Sequence, residues 1–140
     1  NSGNFWLFGG DGYDAFGTWG RLNDLWQYNP VSFSWTWMSG SMIANQSGTY
    51  GALTVPAPAN VPGARHAGVG WADASNNFWI FGGYGYPAVG GDGYLNDLWR
   101  YNTSTGEWTW MKGSNTINQN VAHGRPYMMP PSTWTSWPVM

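Results

Sequence analysis

Laid on itself with Asn4 over Asn77, an offset of 73 residues, the sequence repeats. Asn4-Phe5-Trp6-Leu7-Phe8-Gly9-Gly10 falls on Asn77-Phe78-Trp79-Ile80-Phe81-Gly82-Gly83, and only Leu7 against Ile80 differs. The same offset sets Leu22-Asn23-Asp24-Leu25-Trp26-Gln27-Tyr28-Asn29 on Leu95-Asn96-Asp97-Leu98-Trp99-Arg100-Tyr101-Asn102, and Trp35-Thr36-Trp37-Met38 on Trp108-Thr109-Trp110-Met111. A fixed long period marks a repeat architecture, in which each copy is one supersecondary unit that buries its apolar face against a neighbour.

Within each copy the apolar runs are short, rich in Phe, Trp, Tyr, Leu and Ile, and bounded by Gly, Asn, Asp, Ser and Pro, which is the pattern of strands. Aromatics make up 19% of the chain and 21 glycines separate them, so an all-β protein is expected. The complete copy reads as four strands: a over 65–72, b over 77–82, c over 97–101 and d over 108–112. Asp73-Ala74-Ser75-Asn76 and Thr103-Ser104-Thr105-Gly106 supply the a–b and c–d turns. Gly106 is suited to a positive φ, whereas its counterpart Phe33 pays about 1–2 kcal/mol for that conformation, so a different turn is expected in the first copy.

A double glycine at the end of strand b, then a Tyr, then a Trp seven residues on, occurs twice: Gly9-Gly10, Tyr28, Trp35 and Gly82-Gly83, Tyr101, Trp108. This resembles the Kelch repeat, and the long period is most similar to tandem Kelch arrays of secreted or surface proteins, some of them galactose oxidase-like. The resemblance covers residues 4–41 and 63–114. It implies β-propeller blades of four antiparallel strands in an incomplete ring: an incomplete blade (strands b, c, d) in 1–41, an inter-blade loop in 42–62, a complete blade in 63–114 and an irregular tail in 115–140. It also implies an extracellular or cell-surface location. The glycines are expected to end strand b where backbones crowd, and the Tyr and Trp residues to pack between blades. Flanking blades are expected from self-association or from a longer parent chain.

With five Lys plus Arg against seven Asp plus Glu, net charge −2, the chain offers no basic patch for nucleic acid. No run of roughly 18 apolar residues exists to span a membrane. There is no cysteine, which removes thiolate metal sites and the Tyr–Cys crosslink of a galactose oxidase-like copper centre. His66 and His123 lack partners at metal-ligand spacing, and Asp11, Asp14 and Asp92 lack the density of a calcium loop. Nucleophile elbows and phosphate loops are likewise absent. No catalytic residue, metal or cofactor is therefore expected. Asp24 and Asp97 are expected to accept backbone N–H bonds from the preceding loop.

Candidate ligand-binding residues are the aromatics of the long b–c loops, Tyr13, Phe16 and Trp19 in one copy and Tyr84, Tyr86 and Tyr94 in the other, with Arg65 in strand a, where a structural role is the stronger expectation and facing a central channel the weaker one. Flat rings beside Asn, Asp and Arg suit the faces of a sugar as well as protein hot spots. The expected function is a noncatalytic module binding a protein or a carbohydrate. The alternative is a piece of a larger Kelch-containing oxidase, epimerase or lyase whose active site lies elsewhere. Mutual packing of the loop aromatics is the plainer reading for any single one of them.

Overall fold

The computed structural model describes residues 3–119. They contain eight strands and no helix: β1 Phe5–Tyr13, β2 Trp19–Asn29, β3 Ser34–Ser39, β4 Arg65–His66, β5 Val69–Ala72, β6 Phe78–Gly85, β7 Gly93–Asn102 and β8 Glu107–Lys112. They form two open antiparallel sheets. Sheet 1 runs β1-β2-β3; sheet 2 runs β4-β6-β7-β8, with β5 also paired to β6. The all-β expectation is met, and the two halves of the repeat become the two sheets.

Three expectations are corrected. Strand a is not continuous: Ala67 takes φ 55° and splits it into β4 and β5, both on the same edge of β6. The double glycines do not end strand b. The strand runs on through them, and the register slips between Phe8 and Gly10 and again between Phe81 and Gly83. All four glycines have positive φ, so each pair builds a bulge that re-aims the last residues of the strand. The c–d turns are also alike. Phe33 adopts φ 54° where Gly106 adopts 73°, and Asn29 and Asn102 each accept two backbone N–H bonds at the turn. The asparagine fixes the turn in both copies, and Phe33 bears the strain.

The sheets stack front to back. Trp6 and Phe8, on the back of sheet 1, meet Phe78, Tyr101 and Trp108 on the front of sheet 2, with ring centroids 5.4–6.2 Å apart. Tyr101 Oη donates to Met38 O and Trp108 Nε1 to Ser39 Oγ across the same interface. Leu25, Phe78, Ile80, Trp99, Tyr101 and Trp108 are buried there; a side chain the size of Trp108 gains roughly 2–3 kcal/mol from such burial. The repeat counterparts on the front of sheet 1 are open: Phe5 is 63% exposed and Trp35 53%, while Phe78 and Trp108 are 4% and 1%. Tyr101 and Trp108 thus lie between sheets as expected. Tyr28 packs only within its own sheet, on Trp35 at 5.0 Å and Phe5 at 6.3 Å, because among the described residues no sheet covers that face.

The segment between β3 and β4 is tied down rather than looped out. Thr49 bridges Val61 and Ala57 bridges Trp108, Thr54 N donates to Trp110 O, and buried Asn60 Nδ2 donates to Val55 O and Trp108 O. It seals the outer edge of β8 and carries Tyr50 into the core. The irregular tail expected over 115–140 lies, beyond residue 119, outside the described residues, as does His123.

Candidate functional site

The b–c connections of both sheets bring the candidate aromatics to one end of the stack, in two groups. In sheet 1, Tyr13 and Trp19 are the last cross-strand pair of β1 and β2. Their rings meet edge to face at 5.0 Å and remain 70% and 60% exposed. Phe16 stands at the tip of their turn, also exposed. Asp14 organises that turn by accepting the N–H groups of Phe16, Thr18 and Ala44, and these bonds, led by Ala44 and Thr18, hold its carboxyl below the ordinary value.

In sheet 2, Tyr84 and Tyr94 form a cross-strand pair at the repeat positions of Asp11 and Arg21, edge to face at 5.0 Å. The Arg21 guanidinium from sheet 1 lies 4.8 Å over Tyr84 and 5.9 Å from Tyr86, and it ion-pairs with Asp92. On Tyr84 also stacks His66, centroids 5.8 Å apart, whose Nδ1 sits 2.7 Å from Asp11 Oδ2. Asp11, His66, Tyr84, Arg21 and Asp92 therefore form one polar and aromatic string joining the sheets. Tyr13 and Trp19 make no ring contact with it. Arg21, Asp11 and Asp92 are not among the ligand contacts expected from sequence. The pairing of Asp11 with Arg21 across β1 and β2 was the signal available, because it puts a cation beside the loop aromatics.

Arg65 takes the structural role and not the channel-facing one, which removes it from the ligand-binding candidates. Its side chain is fully buried and does not face a channel. It makes a bidentate pair with Asp97 at 2.7 and 2.8 Å and donates to Gly63 O and Gly82 O. Asp97 in turn accepts Tyr50 Oη at 2.6 Å and Trp99 Nε1 at 2.7 Å, rather than loop N–H groups. Burial alone would raise the Asp97 pKa; the Arg65 charge and the hydrogen bonds from Arg65, Tyr50 and Trp99 outweigh it and hold it low. Burial would lower the Arg65 pKa, and Asp97 keeps it raised. Burial, then the Asp97 charge, pushes the Tyr50 hydroxyl far up. A buried, satisfied network of this kind fixes structure.

Asp24, the counterpart of Asp97, likewise accepts an indole proton, from Trp26 Nε1 at 2.6 Å, in place of the expected backbone bonds. It lies on a cavity of about 790 Å³ lined by Tyr13, Leu22, Trp26, Trp37 and Met42. At the same place in sheet 2 the Tyr50 ring packs against Trp99 and Trp110 at 4.8 and 5.2 Å.

Among the described residues no three His, Asp or Glu side chains converge as a metal site, and no helix is long and apolar enough to cross a membrane. No family model matches the chain, and no curated protein matches it.

Proposed function

We propose that the two sheets are successive Kelch-type propeller blades and that the chain is a noncatalytic module that binds carbohydrate through its b–c loops. The observation that carries this reading is the pair of exposed rings Tyr13 and Trp19, and the exposed Tyr94 ring set on half-buried Tyr84 beside the fixed Arg21–Asp92 pair. Held rings offer an apolar face for a sugar's C–H groups, and the neighbouring guanidinium and carboxylate offer hydrogen bonds to its hydroxyls. Exposed aromatics at this density are unusual on a surface without a partner.

The partner in assembly is more of the same structure, from further copies or from further blades of a longer chain, at the cell surface or outside the cell. The back of sheet 2, where Trp71 stacks on Trp79 and Phe81 is open, has the residues that the back of sheet 1 uses on sheet 2. The front of sheet 1 has the counterparts of the face that receives them.

Sedimentation across a concentration series, together with a glycan screen, tests the reading. A discrete oligomer and a glycan ligand weakened at least tenfold by Trp19→Ala or Tyr94→Ala support it. A glycan affinity indifferent to both substitutions refutes the site, and a monomer at all concentrations refutes assembly by copies.

A further inference from the structure

We propose that the Asp24 cavity and the outer edge of β1 together form a docking site for an extended, arginine-bearing segment of the β4–β5 type, delivered by another repeat unit of this kind. The internal repeat provides the argument; only the occupant's source rests on the blade reading above. Among the described residues β1 pairs with β2 alone, whereas its counterpart β6 carries β4 and β5 on its other edge.

The receiving groups are already set. Trp26 presents its indole N–H to Asp24 as Trp99 does to Asp97. Asp97 spends its remaining acceptor capacity on the Arg65 fork and the Tyr50 hydroxyl, while Asp24 accepts, among the described residues, only the Trp26 bond. A carboxylate so held is a bidentate receptor for guanidinium. Trp26 and Trp37 face the cavity where Trp99 and Trp110 hold the Tyr50 ring.

The edge of β1 also carries the clearance that a docked strand needs. A Cβ on Gly85 would lie 2.1 Å from Ala64 O, and one on Gly83 would lie 2.5 Å from His66 O, so β6 accepts β4 only because both are glycine. β1 has glycine at the two matching positions. A Cβ on Gly10 would meet nothing within 4 Å, and one on Gly12 only the end of Leu22, at 3.1 Å. The mode is strand addition, with main-chain pairing for affinity and the Asp24 cavity for specificity.

The test uses the full chain and a labelled synthetic peptide of residues 63–73, followed by fluorescence anisotropy. Saturable one-to-one binding is expected. It weakens at least tenfold with Asp24→Asn, with Gly12→Ala, and with a peptide carrying Arg65→Met, while circular dichroism shows both chain variants folded. Gly12 lacks a positive φ, so its alanine variant probes clearance rather than backbone strain. No saturable binding, or binding indifferent to the Asp24 and Gly12 substitutions, overturns the proposal. Glycan affinity and sedimentation mass, read on the unmodified chain, report separately on the function proposed above.

Discussion

Replacing Asp97 with asparagine exchanges one carboxylate oxygen for an amide in the most buried polar node of the protein. Oδ1 accepts from Arg65, and Oδ2 accepts from Arg65, Tyr50 and Trp99 together. An amide has a single acceptor oxygen, and its NH2 group would face donors. Arg65 would stay charged with no counter-ion and no exposure. Breaking a buried pair in this way costs about 3–5 kcal/mol, a large part of the roughly 5–15 kcal/mol that holds a domain folded. Asp24→Asn is the internal control, since the amide oxygen can still accept the Trp26 indole proton and no cation is left behind. Its expected cost is below about 1 kcal/mol. Urea unfolding followed by tryptophan fluorescence and far-ultraviolet circular dichroism measures both, with unchanged m-values required for the comparison. If the two variants lose the same stability to within about 1 kcal/mol, the ion pair is not what distinguishes the sheets and the reasoning fails.

Three further outcomes are expected. Gly10→Ala and Gly83→Ala share a φ near +100° and the strain that goes with it, but only the second meets a backbone oxygen. Gly83→Ala is expected to lose about 1–3 kcal/mol more, and to speed hydrogen exchange in β4 and β5; equal losses would contradict the clash. Trp108→Ala is expected to cost about 3–5 kcal/mol and its counterpart Trp35→Ala under about 1 kcal/mol, in the same unfolding assay. On acidification stability is expected to fall. Asp97 and Asp14 titrate low in the folded state, and hydrogen bonds from Trp79 and Asn77 bring Asp73 down to about 2. Their contribution is complete above the unfolded carboxylate value of about 4 and drains away as pH falls through the folded values. Thermal melts between pH 7 and 2 would show it, and a melting point rising toward pH 2 would contradict it.

The sequence made the sheets legible because alternation and turn chemistry are local. The repeat offset locates strands b, c and d to within a few residues, whereas the turn shared by Asn29 and Asn102 was masked by the difference between Phe33 and Gly106. What was hidden depends on register and on distant neighbours. A double glycine reads equally well as a stop or as a bulge until the partner strand is known, and the slip at Phe81 and Gly83 decides it. A structural role for Arg65 was legible but its partner was not, because nothing local connects it to Asp97, 32 positions away. The missed signal was electrostatic: an aspartate between Leu95 and Leu98 in a strand facing the core requires a cation, and the chain has only five Lys plus Arg to supply one. Tyr50 was hidden because it falls in the stretch expected as an inter-blade loop, whereas its ring fills the space between Trp99 and Trp110. Of the candidate site, the loop tyrosines and Trp19 were visible as exposed-aromatic signals, but the Arg21–Asp92 pair spans both sheets and appears only in the folded chain.

The front-to-back stacking of the sheets bears on how copies of the chain would behave in concentrated solution. A contact in which the front of one sheet meets the back of the next is polar in the geometric sense, so every added unit regenerates the surface it has just covered. Growth then stops only when the rotation between successive units divides a full turn. Any other rotation gives an open helical fibre whose length rises with concentration. A shift of a few degrees at the Phe8–Trp108 contact would therefore separate a soluble ring of fixed mass from a polymer with no defined end.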